Sequence, residues 1–204
     1  MKASVQSIDT VSTSNSFVLV DSFGKELSAD GEEKTVLYGP KDSEGVKTSY
    51  IISDDEITDN VGGILKNLYK GRKLVGLPKG SVVQYVNDAN GEIAAIRIMY
   101  IPGSTDNYFE TGRYEVTKDY MSAIYQCYAK VVTYLPESNR LVWNGHEQGE
   151  DRTWDRSSGM GGNVYLHDSK TDRITTIDKT QILPGDDIFL SQSNYSTKMT
   201  VVYR

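Results

Sequence analysis

The chain has 204 residues, a net charge of -6 and an isoelectric point of about 5.0. This length allows one large β domain or two domains of about 100 residues, each with its own core. An acidic chain offers no positive field to attract phosphates, which argues against a nucleic-acid partner.

The sequence also bears on membranes and on cysteine chemistry. It contains no apolar run of about 18 residues, the length typical of a membrane span. Residues 1–9 lack the apolar region of a signal peptide, so export would use a leader outside this numbering or another route. The single cysteine, Cys127, excludes an internal disulfide and a thiolate metal cluster. We therefore expect no membrane insertion.

The composition is typical of a β protein. The 14 tyrosines, together with frequent valine, isoleucine and threonine, suit half-buried pleated surfaces, and the 18 glycines separate short apolar runs. Helical periodicity is almost absent. The sequence predicts an all-β fold made of two consecutive small antiparallel β-barrel or sandwich modules.

The first part of the chain predicts strands over residues 5–11, 16–21, 34–38 and 46–52. Gly24 is expected to supply the positive φ of a hairpin turn after the second of these strands. The first three or four strands should form a meander.

One short helix is predicted over residues 53–68. Ser53 and Glu56 have the spacing of a capping box. Apolar residues then follow at intervals of three and four: Ile57, Val61, Ile64, Leu65 and Leu68. Gly62 and Gly63 weaken this helix by roughly 1 kcal/mol each relative to alanine.

A hairpin pattern occurs twice, over residues 77–100 and 183–204. Each copy begins with Leu-Pro before a glycine, runs an apolar strand, turns through polar residues and returns on a β-branched strand that reaches a tyrosine. The first copy turns at Asn90-Gly91, a strong hairpin signal. The repeat indicates two modules that are closed in the same way.

The domain boundaries follow from the residues after the first hairpin. Pro102 and Gly103 end a strand, and the polar residues behind them predict a linker over 104–113. The modules are therefore 1–103 and 114–204. Residues 120–134 are predicted as strand because of their tyrosines and β-branched residues. The polar, glycine-rich segment 144–162 predicts a loop of about nineteen residues, a length that is often functional or mobile.

Catalysis has weak support in the sequence. His146 lies in the predicted loop beside acidic residues that could orient it as a general base, whereas His167 ends a strand and is expected at a rim or half-buried. Cys127 has no adjacent cation to stabilise a thiolate and is expected to be packed. We predict no catalytic residue and no cofactor.

Metal binding has equally weak support. The acidic residues of 54–59, or Asp168, Asp172 and Asp178, offer oxygens of the kind that calcium binds, but neither group has the spacing of a calcium loop. Solvated turns and a helix start explain both groups. We predict no metal site.

Aromatic residues are the better functional candidates, because exposed Trp and Tyr anchor interfaces and stack on sugars. Trp143 is favoured for the core, whereas Trp154 lies in a polar segment. The candidate binding residues, for a protein interface or a ligand, are Trp154, Tyr108, Phe109, Tyr114, His146, Arg152 and Arg156.

The residues of 164–168, 174–177, 183–190 and 201–204 resemble the β-rich repeat modules beside S-layer-homology domains in surface proteins of Gram-positive anaerobes. The earlier hairpin is similar to the same pattern, with Ser81 in place of the aspartate. Phage virion proteins use comparable modules. The resemblance implies no catalytic residues, and it implies no wall anchoring because the S-layer-homology motif is not present.

The sequence favours a non-catalytic structural protein of a virion or a bacterial surface layer, whose partners are other copies of itself or other structural proteins. A carbohydrate-binding or adhesion module that contacts a glycan is the alternative, and an enzyme using His146 is the third reading. The expected location is a virion or an extracellular surface, while a cytoplasmic location stays open.

Overall fold

The computed structural model describes residues 16–40, 47–52, 58–59, 69–70, 73–74, 76–87, 90–103, 115–119, 124–147, 153–193 and 196–204. The described chain is mostly strand, which confirms the all-β prediction. The strands form two large sheets, one from residues before 101 and one from residues after 114. We call residues 16–103 the N-terminal module and 115–204 the C-terminal module. Within the described residues, no helix is long and apolar enough to cross a membrane.

The N-terminal module has short strands joined by turns. They are β1 (Ser16–Leu19), β2 (Ser22–Leu27), β3 (Glu33–Pro40), β4 (Lys47–Ile52), β5 (Thr58–Asp59), β6 (Tyr69–Lys70), β7 (Lys73–Leu74), β8 (Val82–Asn87) and β9 (Ile93–Tyr100). The main sheet has the order β1-β8-β9-β4-β3-β2, with β5 beside β9 and with β6 and β7 paired separately. The hairpin predicted over 77–100 is confirmed as β8 and β9.

The two edge strands of this sheet, β1 and β2, belong to one stretch of chain, because only two residues separate them. The N–H of Val20 donates to Ser81 O at 2.8 Å beside β8, and the N–H of Asp21 donates to Tyr38 O at 2.8 Å in β3. The chain thus changes its strand partner between Val20 and Asp21. A stretch of chain shared by both edges makes the sheet curl back on itself.

Gly39 allows this curling. A Cβ at position 39 would lie 1.9 Å from Leu19 O, inside any contact distance. Only a residue without a side chain lets β3 pass this close to β1.

Some predictions for this module need correction. Gly24 does not form a turn: it lies inside β2, and the turn to β3 contains Gly31 with φ +83. The meander holds for β2, β3 and β4, but β1 pairs with β8. Of the predicted helix 53–68, only Thr58–Asp59 is described; it is extended and runs parallel to β9, so no helix passes through it. The remaining helix residues and the strand 5–11 lie outside the described residues.

The C-terminal module has eight strands. They are β10 (Glu115–Asp119), β11 (Ile124–Leu135), β12 (Arg140–Glu147), β13 (Thr153–Gly159), β14 (Asn163–Asp168), β15 (Arg173–Ile177), β16 (Asp187–Ser193) and β17 (Ser196–Tyr203). Short 3-10 helices follow β11 at Pro136–Ser138 and β15 at Lys179–Gln181. Of the strand predicted over 120–134, residues 124–134 are confirmed by β11 and 120–123 lie outside the described residues. The hairpin predicted over 183–204 is confirmed by β16 and β17.

The two modules share one connectivity. The long strand β11 pairs with β16 through its first half and with β12 through its second half, as the β1–β2 segment pairs with β8 and β3. In each module the fourth strand also runs parallel to the last one, β4 to β9 and β13 to β17.

The predicted loop 144–162 is wrong. Residues 140–147 and 153–159 are β12 and β13, which pair from Arg140↔Gly159 to His146↔Thr153. The hairpin carries polar residues along both strands, so composition gave no sign of its pairing. Only the tip, 148–152, lies outside the described residues.

The core consists of three clusters, because successive residues of a strand face opposite sides. One cluster fills the N-terminal module around Val18, Val83 and Ile98, and a second fills the C-terminal module. The third contains residues of both modules, among them Phe17 and Phe189, whose ring centroids are 6.3 Å apart. The two modules therefore pack against each other through a continuous apolar contact.

Candidate functional site

The hairpin of β12 and β13 carries three of the predicted binding residues at different positions along its strands. His146 is paired with Thr153, and Trp154 is paired with Gly145. Arg156 lies two positions further along β13, opposite Trp143. Tyr108, Phe109, Tyr114 and Arg152 lie outside the described residues.

The base of this hairpin is tied by side-chain bonds. Trp143 is buried, as predicted, and its Nε1–H donates to Ser158 Oγ at 2.9 Å. Arg140 donates to Ser157 Oγ and to the Ser157 carbonyl oxygen across the two strands. These bonds fix the two strands of the hairpin to each other. The predicted binding residues of the hairpin therefore lie on strands rather than in a loop.

His167 has a structural place between the modules. It is buried, not at a rim, and its Nε2 lies 3.0 Å from Asp172 Oδ1. Its ring meets the ring of Tyr203 edge-on at 5.9 Å between centroids, and it occupies the space that a Cβ at Gly80 would need. The geometry gives His167 a packing role at the contact between modules.

The acidic residues considered as calcium ligands serve separate turns. Asp168 accepts from Lys170 N, and this bond together with the Thr171 hydroxyl lowers the pKa of Asp168. Asp178 caps the 3-10 helix, and bonds from the Thr180 side chain and then its backbone N–H lower the pKa of Asp178. Asp172 binds His167 instead. The described residues contain no group of three potential metal ligands.

The two aspartates at the start of the last hairpin, Asp186 and Asp187, form ion pairs. Asp186 is buried and accepts from Arg204 Nε at 2.8 Å and from Arg204 Nη2 at 2.7 Å. This bond raises the pKa of Arg204. Asp187 pairs with Lys130 at 2.8 Å. The turn therefore uses its carboxylates to bind neighbouring strands.

The strand β15 is an edge strand of the C-terminal sheet. It lies at one end of the strand order, and among the described residues it pairs only with β14. Thr175 and Thr176 are both exposed, although adjacent residues face opposite sides, and Ile174 and Ile177 are half-buried. An edge strand presents unpaired N–H and C=O groups to which another chain can add a strand.

The edge strand β2 offers a useful contrast. It also ends a sheet order, but it carries the charged pair Lys25 and Glu26 and includes Gly24. Charges and glycine on an edge disfavour pairing with another chain. The strand β15 carries one charged residue, the exposed Arg173 at its start, while residues 174–177 contain no charge, proline or glycine. The sequence identified this strand, but its position at an edge follows only from the topology.

Comparisons of the sequence with known proteins identify no family for this chain. No protein-family model matches the chain. No curated protein sequence matches it either.

Proposed function

We propose that this protein is a non-catalytic structural component of a larger assembly and that it acts through protein–protein contacts. The observation that carries the proposal is β15, an edge strand exposed on both faces and without protective charges within 174–177. The proposed partner is another copy of the chain or another structural protein of the same assembly, which adds a strand beside β15.

The packing of the modules supports this role. A shared apolar cluster joins the two modules. A partner that binds β15 therefore holds both modules and not the C-terminal module alone. The setting of the assembly, a virion or a bacterial surface layer, rests on the sequence resemblance alone.

The test adds charge to the edge. Substitution of Thr175→Lys and Thr176→Lys together places a cation on each exposed face of β15. The wild-type protein should form assemblies at high concentration in light scattering, and the double variant should stay monomeric with unchanged circular dichroism.

The matched control is Leu27→Lys with Ser138→Lys, two exposed positions away from β15. It adds the same charge and should assemble like the wild type. A wild-type protein that stays strictly monomeric, alone and with its purified assembly partners, would contradict the proposal.

A second candidate function is binding of a glycan at the β12–β13 hairpin. OB-fold barrels bind oligosaccharides and oligonucleotides on the face of their second and third strands, and β12 and β13 take those positions when strands are counted from β11. The net charge of -6 disfavours the nucleic acid. Trp154 on β13 is the stacking residue that this candidate requires.

A glycan array tests this second candidate. The wild type should retain at least one oligosaccharide class, and Trp154→Ala should lose it while unfolding at the same urea concentration. An array without any signal, or equal binding by both proteins, would remove the glycan function.

A further inference from the structure

The repeated hairpins begin at equivalent turns. In the N-terminal module, Val20 N–H donates to Ser81 O at 2.8 Å, and Gly80 N–H donates back to Val20 O at 2.8 Å. Gly80 has φ +82. This turn fixes the point at which the first strand leaves its partner β8.

The C-terminal module repeats this arrangement. Val131 N–H donates to Asp186 O at 2.8 Å, and Gly185 N–H, with φ +88, donates to Val131 O at 2.8 Å. Val131 therefore corresponds to Val20, and Gly185 to Gly80.

Strand registers extend this equivalence. Val18 faces Val83 across β1 and β8, and the corresponding positions Ala129 and Ile188 face each other across β11 and β16. All four residues are buried in the two module cores.

The tyrosines that end the two hairpins are equivalent as well. Tyr100 pairs with Val82, the second residue after Gly80, and Tyr203 pairs with Asp187, the second residue after Gly185. These two tyrosines contact each other, with ring centroids 4.7 Å apart. The rest of the contact joins residues that are not equivalent, since Phe17 meets Phe189 and Gly80 lies against His167, whereas a Cβ at Gly185 meets nothing within 4 Å.

The contact contains a buried apolar cluster. Its buried cluster takes five residues from the N-terminal module and four from the C-terminal module: Phe17, Leu19, Val82, Met99 and Tyr100 with Tyr165, Phe189, Met199 and Val201. Tyr203 Oη–H adds a hydrogen bond of 2.9 Å to Gly80 O.

We propose that the two modules are an obligate pair, each the binding partner of the other, and that this face holds them together without the segment that links them. The partner that fits the outer face of the β8–β9 hairpin is the second repeat of the same chain. Obligate interfaces of this kind have the apolar composition of a domain core, as this cluster does.

Cleavage of the intact protein tests the proposal. A site-specific protease sequence is inserted between residues 104 and 110, and the folded chain is cut without denaturant. The two fragments should then elute together in size-exclusion chromatography at the mass of the uncut protein. Fragments that elute separately, each folded by circular dichroism, would overturn the proposal, as would aggregation of either fragment after cutting.

Two glycine-to-alanine variants test whether the face that contains Gly80 holds the two modules together. Gly80→Ala and Gly185→Ala place alanine at nearly the same positive φ, in equivalent turns. A Cβ at Gly80 would lie 2.5 Å from His167 Nδ1, across the module contact, whereas a Cβ at Gly185 meets nothing within 4 Å. His167 cannot move away easily, because it is buried and bonded to Asp172.

The cut Gly80→Ala protein should therefore dissociate with a constant at least about tenfold larger than that of the cut Gly185→Ala protein. The backbone cost of alanine is common to both variants and cancels in the comparison. Equal dissociation of the two would overturn the assignment of this face.

Discussion

The side chain of Thr200 places a hydroxyl group in the apolar C-terminal core. It is fully buried, and within the described residues its Oγ1 finds no hydrogen-bond partner. The register across β16 and β17 places it opposite Leu190, and the corresponding position in the N-terminal module, opposite Tyr85, is the buried Ile96. The other repeat thus has an apolar residue where this one buries an unsatisfied polar atom.

Thr200→Val should raise the free energy of unfolding by about 1 kcal/mol, because the buried hydroxyl no longer has to be desolvated without a partner. Urea denaturation measures the change. Thr197→Val is the matched control, since Thr197 Oγ1 donates to Gly161 O at 2.9 Å, and its loss should destabilise the protein by about 1 kcal/mol. Destabilisation by Thr200→Val would contradict the explanation.

The acidic turn residues make stability depend on pH. Bonds to the ionised carboxylate, first from the Thr180 side chain, hold the pKa of Asp178 below its ordinary value. A lowered pKa means that the contribution of Asp178 is complete above the pKa of the unfolded chain and is lost as the pH falls through the folded value. Acid should therefore weaken the cap on the 3-10 helix.

Asp178→Asn keeps an oxygen that accepts from Thr180 but removes the titration. The urea midpoint of this variant should fall less steeply than that of the wild type as the pH is lowered from about 5 to about 2. Glu137→Gln, which neutralises an exposed carboxylate in the other 3-10 helix, serves as the control and should keep the wild-type slope. Parallel curves for Asp178→Asn and the wild type would exclude the proposed titration.

At the scale of secondary-structure elements, the close approach of β3 to β1 requires glycine at position 39. Gly39→Ala should destabilise the protein by about 3 kcal/mol, because the new Cβ meets Leu19 O, a backbone atom that cannot move without disturbing the ladder. Thermal or urea unfolding measures this loss.

Gly24→Ala is the matched control for this prediction. Gly24 lies on the adjacent strand β2, where a Cβ meets nothing within 4 Å. This substitution should be neutral or slightly stabilising, since alanine restricts the unfolded chain. A similar loss in both variants would show that the close approach does not limit the fold.

At the scale of the whole molecule, the shared cluster should make the two modules unfold as one unit. Scanning calorimetry should give a single transition whose calorimetric and van't Hoff enthalpies agree. Two resolved transitions in the wild type would contradict this coupling.

Phe189→Ala should separate the transition into two, because it removes a ring that contacts Phe17 of the other module. The expected cost is about 3–5 kcal/mol. Ile188→Val, on the next residue of the same strand, faces the C-terminal core instead and should lower stability by about 1 kcal/mol while keeping a single transition.

The sequence by itself determined the all-β class, the strand over β11 and the repeated hairpin, because β-branched residues, tyrosines and turn glycines act on their nearest neighbours. It did not determine that Gly24 lies within a strand, that residues 144–162 form mostly a hairpin, or that β15 is an edge. Each of these depends on which strand pairs with which.

Only the tertiary structure decided how the repeats are related in space. Tyr100 and Tyr203 could be recognised as corresponding ends of two hairpins, but nothing local requires them to touch. Their contact arises because β8, β9, β16 and β17 bury both of their faces, one in their own module and one against the other. Burial of a second apolar face is a property of the assembled chain, since it depends on residues about a hundred positions apart.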